Sequence, residues 1–191
     1  MNQLVFFLEE RSAREMLKNF LSRILPELDN ITVRYVVFEG KQDLERQLGR
    51  KLRGWRVPDT RFVVMRDKDQ ADCTEVKCRL VGICRDAGKP DVLVRIPCYE
   101  LESWYLGDLN AVEQGLQIPG LARQQERAKY RSPDRIANPV QELRRLTNER
   151  YQKIAGSRAI GLHLSPDANR SHSFTVFVSG LQRLVQSGAG G

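Results

Sequence analysis

The chain has 191 residues, 41% of them hydrophobic and 29% charged, which is typical of a globular protein with a sizeable core. Its 31 Lys and Arg residues outnumber 24 Asp and Glu residues, and the resulting charge of +7 permits contact with nucleic acid without establishing it. The N-terminal apolar run of residues 4–8 is too short for a membrane span or a secretion signal, and the four cysteines lack the paired spacing of a zinc site. We therefore expect a cytoplasmic protein with reduced thiols and no membrane association.

Strand and helix patterns alternate over the first 106 residues. Four apolar runs have the pattern of buried strands: residues 4–8, 31–38, 62–65 and 92–96. A helical pattern follows each run, and two capping boxes, Ser12 to Glu15 and Asp72 to Glu75, predict where the first and third helices begin. This alternation predicts an α/β fold in three layers, with a mostly parallel four-stranded sheet over residues 1–108.

The second half of the chain shows no strand pattern. Helical patterns around 109–116, 139–147 and 174–186 predict a helical extension over residues 109–191 that packs on the core, so that both parts form one structural domain. We expect a polar loop over 121–138 and a frayed tail at 189–191.

Acidic residues follow two of the predicted strands. Asp67 and Asp69 come directly after the third strand, and Glu9 follows the first. The loops after parallel strands open on one edge of the sheet, where such folds bind their ligands. Three carboxylates there repel one another unless a cation offsets their charge, and carboxylate oxygens suit Mg²⁺ or Mn²⁺. The alternative for Asp67 and Asp69 is a solvated acidic turn.

These strand ends resemble the Toprim domain, the metal-binding fold of topoisomerases, bacterial primases and overcoming-lysogenization-defect nucleases. The resemblance depends on Glu9, Gly40, Asp67 and Asp69, and it implies a three-layer, Rossmann-like fold in which the three acids hold metal.

The chain departs from the Toprim pattern after the first strand. Glu10 stands where Toprim domains have Gly, and Ala13 stands where an acid often lies. A literal Glu-Gly pair follows the second strand instead, which leaves Glu39 as an alternative metal ligand.

Longer stretches resemble a narrower group, a bacterial Toprim-like family of unknown function that is often associated with phage-defence operons. They are Phe38–Leu44, Glu100–Asp108, Tyr151–Lys153 and Ser173–Phe177. The resemblance implies a Mg²⁺- or Mn²⁺-dependent nuclease acting on DNA or RNA in anti-phage defence. The alternative is a non-catalytic partner or sensor subunit beside an ATPase, because the chain lacks a phosphate-binding loop of its own. A homo-oligomer is compatible with either function. A phospho-acceptor receiver is weaker, since its acceptor Asp follows a strand without an Asp-x-Asp pair.

Further residues are assigned supporting roles. Glu102, after the fourth strand, resembles an acid of related Toprim-like nucleases, although an exposed position on its helix is the alternative and Glu100 competes with it. Lys153 is expected to stabilise negative charge on the phosphate or to protonate a leaving oxygen. Trp104 and Tyr105 are expected in the core. The cations expected to bind nucleic acid are Arg66, Lys68, Lys153 and Arg158.

Overall fold

The computed structural model describes residues 1–187, apart from the side chains of Glu27 and Asp29. The predicted tail at 189–191 lies outside these residues. Four parallel strands form one sheet in the order β2-β1-β3-β4. The strands are β1 (Gln3–Leu8), β2 (Thr32–Val37), β3 (Thr60–Met65) and β4 (Leu93–Arg95). The predicted α/β fold with a four-stranded parallel sheet is therefore confirmed.

Helices connect the strands and make up the second half of the described chain. The α-helices are α1 (Arg11–Ile24), α2 (Lys41–Gly54), α3 (Cys73–Asp86), α4 (Glu102–Leu106), α5 (Leu109–Leu116), α6 (Pro139–Leu146), α7 (Lys153–Gly161) and α8 (His172–Gln186). Short 3-10 helices lie at Pro26–Asn30, Ala122–Glu126, Ala128–Arg131 and Pro133–Arg135, so the predicted polar loop over 121–138 is largely turned structure. The sequence patterns did not predict α7. No helix of the described chain is long and apolar enough to cross a membrane.

The sheet separates two hydrophobic cores. All six residues of β1 are buried, because helices cover both faces of this central strand. Leu4, Phe6 and Leu8 face a core shared with α1 and the helices of the second half, whereas Val5 and Phe7 face a core shared with α2 and α3. The first core thus contains side chains from both predicted parts of the chain; the boundary at residue 108 stays a prediction.

Aromatic side chains from the stretch after β4 and from α8 complete the α1-side core. Trp104 and Tyr105 are fully buried, as expected. Trp104 stacks on Phe177 with ring centroids 4.9 Å apart, and its indole N–H donates to the Ser173 hydroxyl at 2.9 Å. The aromatic stretch after β4 therefore anchors α8 to the sheet.

One of the two predicted capping boxes has its N-cap in place. Asp72 Oδ1 accepts hydrogen bonds from the backbone N–H groups of Thr74 at 2.8 Å and Glu75 at 3.0 Å, as predicted. The first capping box was wrong. Helix α1 already begins at Arg11, because the chain leaves β1 at Leu8 and only Glu9 and Glu10 lie between the two elements.

Glycines allow α7 to pack against its neighbours at backbone distance. A Cβ atom added at Gly161 would lie 2.7 Å from the Met16 carbonyl oxygen of α1, and one added at Gly115 of α5 would lie 2.8 Å from the Ile160 nitrogen. Both neighbours are backbone atoms, which cannot turn aside as a side chain can. Small residues at these two positions therefore hold α7 against α1 and α5.

Replacing Gly115 by Ala is expected to destabilise the protein by about 1–3 kcal/mol, because the new methyl group overpacks against backbone. Gly82→Ala in α3 is the matched control, since nothing lies within 4 Å of an added Cβ there. That control is expected to gain about 0.5–1 kcal/mol from the better helix propensity of Ala. Urea unfolding measures both changes, and equal stabilities for the two variants would contradict the close packing.

Candidate active site

The ends of β1 and β3 bring two of the predicted acids together. The backbone N–H of Asp67 donates to Glu9 Oε2 at 3.0 Å, and the backbone N–H of Glu9 donates to the Met65 carbonyl at 3.3 Å. Both acids are half-buried at the carboxyl edge of the sheet. The parallel register of β1 and β3 thus places their following residues side by side.

Negative charge crowds this edge of the sheet. Burial raises the pKa of Asp67 well above its ordinary value, and the charges of Glu102, Glu9 and Glu10 raise it further. The pKa of Glu9 is also raised, first by burial and then by the charges of Asp69 and Glu10. Ionisation of these two carboxyl groups is therefore less favourable than usual, and a cation bound beside them would favour it.

Glu102 lies beneath the site with no solvent exposure. Its Oε1 accepts a hydrogen bond from the Tyr151 hydroxyl at 2.7 Å, which in turn lies 3.3 Å from Ser157 Oγ. Its Oε2 is buried without a hydrogen-bond partner. Burial raises the pKa of Glu102 to about 7, against the lowering effects of Lys153 and the Tyr151 hydrogen bond. The alternative of an exposed position for Glu102 was wrong, because its short helix is covered on all sides.

Glu100, the competing acid, has a different role. Its Oε2 accepts a hydrogen bond at 3.0 Å from the backbone N–H of Val140, in the first turn of α6. A carboxylate at this place stabilises a helix start. Glu100 therefore holds α6 and contributes its charge to the site only at longer range.

Lys153 supplies positive charge at the site. It is the first residue of α7, and its Nζ lies 2.6 Å from Glu10 Oε2. Burial alone would lower the pKa of Lys153, but the charges of Glu102, Glu10 and Asp67 raise it, so the side chain is charged at neutral pH. Glu10 was not predicted as a site residue; the signal was its place beside Glu9 at the strand end, where the Toprim pattern has Gly.

Asp69 is bound elsewhere. Its backbone has a φ of 54°, in the left-handed region, and its N–H donates to the Tyr99 carbonyl at 2.7 Å. Its Oδ2 lies 2.7 Å from Lys41 Nζ at the start of α2. The structure thus brings Glu9, Asp67, Glu102 and Lys153 together, and ties Asp69 to α2 at their border.

The acids at this edge have the right donor atoms for a metal ion, but their side chains are not arranged as metal ligands. Crowded carboxylates, and a buried Glu102 oxygen without a partner, are the donor set of a hard divalent cation. However, no three His, Cys, Asp or Glu side chains within residues 1–187 lie together as metal ligands. Metal binding at this edge therefore requires side chains to turn.

Two cavities adjoin the acids. A recess of about 10 Å³ between Glu9, Asp67 and Leu101 has room for about one water molecule. An open cleft of about 340 Å³ continues from Glu9 to Arg11, and Lys153 and Ile154 form part of its wall. Another concavity, of about 620 Å³, lies away from this site, and two of its three cations, Lys129 and Arg145, are bound to Glu142.

The four cations predicted to bind nucleic acid lie in different surroundings. The Arg66 side chain is only 6% exposed, with its Nε 3.4 Å from Glu45 Oε1, so it does not reach the surface. The Lys68 ammonium lies 3.8 Å from the centre of the Tyr99 ring. Lys153 and Arg158 remain partly exposed, each beside a glutamate.

The chain matches one protein-family model, described as Domain of unknown function (DUF4276), over residues 8–182. This range contains the ends of β1 and β3 and all of α1 to α7. No match was found among curated proteins or among solved structures. The predicted relation to a family of unknown function is confirmed at this level, whereas the Toprim resemblance and the association with phage defence stay predictions.

Proposed function

We propose that this chain, which belongs to the DUF4276 family, is a Mg²⁺- or Mn²⁺-dependent nuclease that cleaves phosphodiester bonds of DNA or RNA. The observation that carries the proposal is the crowding of carboxyl groups around Asp67, where burial and three glutamates raise its pKa. Without a ligand this crowding costs stability, and a divalent cation is the natural partner that removes the cost. An association with anti-phage defence belongs to the proposal and follows from the resemblance alone.

Glu9 and Asp67 would hold the metal, and the unpartnered Oε2 of Glu102 would be a third donor once side chains turn. Asp69, which the sequence predicts as the third ligand, could bind the metal only if its ion pair with Lys41 were broken. A Mg²⁺ or Mn²⁺ ion bound there would supply Lewis-acid chemistry, which polarises a phosphate and acidifies water.

The chain's own side chains would do the remaining work. Lys153, held beside the acids by Glu10, is positioned to offset negative charge on the phosphate. Tyr151 fixes the direction of the Glu102 carboxyl group through the hydrogen bond to Oε1. The open cleft beside Glu9 would give the substrate access, and the recess between Glu9 and Asp67 has room for about one water molecule.

The test is metal-dependent cleavage by the wild-type protein. Fluorescently labelled single-stranded DNA and RNA are incubated with Mn²⁺, Mg²⁺ or EDTA, and Mn²⁺ affinity is measured separately by calorimetry. We expect cleavage with either metal and none with EDTA, and we expect Glu9→Gln to weaken both metal binding and cleavage. Cleavage that persists in EDTA, or in Glu9→Gln, would refute the proposed site.

A second candidate is a non-catalytic partner or sensor subunit of an ATPase-containing defence complex. It is favoured by the two ion pairs that already neutralise part of the acidic cluster, Lys41 with Asp69 and Lys153 with Glu10. This candidate predicts co-purification with an ATPase and no cleavage of either nucleic acid, even where Mn²⁺ binds.

A further inference from the structure

The buried carboxylate of α1, Glu15, has three cations around it. Arg158 of α7 approaches its Oε2 with Nε at 2.9 Å and a terminal nitrogen at 2.8 Å. Arg14 approaches Oε1 with a terminal nitrogen at 2.8 Å, and Lys18 lies 3.8 Å from the same oxygen. Burial alone would raise the pKa of Glu15, but hydrogen bonds from Arg158 and Arg14 lower it, so the carboxylate is charged.

A purely structural role for these cations accounts for only one of them. One guanidinium group is enough to pair with a buried carboxylate. Three cations around one carboxylate leave a surplus of two positive charges, and their side chains stay open to solvent, with 37% exposure for Arg14, 50% for Lys18 and 61% for Arg158. The surface around Glu15 therefore carries excess positive charge, and Glu15 holds the side chains of these cations in place.

The row of cations on α1 begins at the candidate active site. Arg11, Arg14 and Lys18 share one face of α1 because they are spaced by three and four residues. Arg11 lines the cleft beside Glu9 together with Lys153. The ion pairs Glu10 with Lys153 and Glu15 with Arg158 lie one after the other along the line where α1 packs against α7, which we call the α1–α7 seam. Cations therefore lie on both sides of this seam, on α1 and at Lys153 and Arg158 of α7.

We propose that the α1–α7 seam binds one strand of nucleic acid as it leaves the active site, with phosphates contacting Arg11, Arg14, Lys18 and Arg158. This inference rests on the proposed nuclease function and names where its substrate lies. From Arg11 to Lys18 the helix rises by about 10 Å, so the three cations are spread along the helix and can contact successive phosphates of one strand. A positively charged groove that follows the phosphate backbone is the usual way to bind a strand without reading its sequence.

Binding of a fluorescein-labelled 20-nucleotide strand, measured by anisotropy in EDTA, tests the seam without cleavage. The variant Arg11→Gln/Arg14→Gln/Lys18→Gln keeps Arg158, the better partner of Glu15. Three lost phosphate contacts should weaken binding on the order of 100-fold at 0.1 M salt and reduce the salt slope by about 2. DNA and RNA strands of the same sequence are compared in parallel.

The matched control removes the same charge from the opposite face of the sheet. Arg50, Lys51 and Arg53 are exposed on α2, and their triple Gln variant is expected to change affinity by less than threefold. Lys18→Glu is a milder second variant, because Lys18 is the most distant of the three cations around Glu15; it should weaken binding about tenfold. Thermal melting confirms that each variant is folded.

Three results would overturn the seam: no binding of either strand by the wild-type protein, equal losses in the α1 and α2 variants, or equal competition by polyglutamate, which would indicate an acidic protein partner. Hydrolysis of bis(p-nitrophenyl) phosphate by the wild-type protein with Mn²⁺ tests the catalytic site separately, since this small diester spans no seam. Failure of hydrolysis with intact strand binding would refute the nuclease and leave the seam standing.

Discussion

Replacing Asp67 by Asn is expected to lower metal-dependent cleavage about 1000-fold and, at the same time, to stabilise the metal-free protein. Activity is lost because the variant removes the negative charge of a proposed metal ligand. The charges of Glu102, Glu9 and Glu10 all act on Asp67, which places it at the centre of the acidic cluster. Asn keeps the size of the side chain and an oxygen donor, so the effect isolates the charge. Single-turnover cleavage assays and thermal melting measure the two effects.

The gain in stability follows from the direction of the pKa shift. The folded protein holds a proton on Asp67 at pH values where the unfolded chain has lost it, so folding becomes less favourable as the pH rises through this range. Asn cannot ionise, so the variant avoids that loss at neutral pH. Stability and activity therefore change in opposite directions at this position.

Asp72→Asn is the charge-matched control. Asp72 caps α3, and hydrogen bonds from the backbone N–H groups of Glu75 and Thr74 lower its pKa. Asn can still cap the helix, so this variant should cleave at the wild-type rate and melt at or slightly below the wild-type temperature. An Asp67→Asn protein that retains activity, or that melts below Asp72→Asn, would exclude Asp67 as the centre of the acidic cluster.

The metal-free protein is expected to lose stability as the pH rises from about 4.5 to about 7, through the buried carboxyl group of Glu102. Its pKa is raised from 4.5 to about 7, so between these values the folded protein binds a proton that the unfolded chain has released. The loss amounts to about 3 kcal/mol at most. Asp67 and Glu9 act in the same direction, whereas the ammonium group of Lys153 moderates the effect.

Acidification has the opposite effect at another buried acid. The pKa of Glu142 is lowered to about 2, because hydrogen bonds from Lys129, Tyr130 and Arg145 outweigh its burial. Its contribution to stability is present above the ordinary value of 4.5 and is lost as the pH falls towards 2. The metal-free protein should therefore be most stable near pH 4.5–5, between the two ranges.

Melting temperatures measured from pH 4 to pH 8, with EDTA and with Mn²⁺, check this pH dependence. Mn²⁺ should flatten the decline above pH 5, because bound metal favours the ionised carboxylates. Glu102→Gln should flatten it without metal. A melting temperature that rises steadily to pH 8 in EDTA would show that Glu102 ionises normally.

The sequence was sufficient for the sheet and for the edge at which the acids gather. The apolar run Leu4–Leu8 predicts a buried strand, and helices do cover both faces of β1. Parallel pairing of β1 with β3 then puts Glu9 next to Asp67. Asp72 was recognisable as a cap because capping depends on residues only two and three positions away. Each of these features is decided by local pattern or by strand order.

Only the tertiary structure decided which partner each acid takes. Asp69 binds Lys41 of a different helix, and Glu102 binds Tyr151, 49 residues further along the chain. Helix α7 was not predicted, because its helical pattern is weak. Gly161 lets this helix pack directly on the α1 backbone, and its first residue, Lys153, and the preceding Tyr151 thereby reach the site. The periodicity of a sequence shows which face of an element is buried, but the partner of a charged group depends on distant segments that compete for it in space. For this protein the sequence determined the sheet edge at which Glu9 and Asp67 meet, and packing determined that the charges of Glu102 and Lys153 act on Asp67 there.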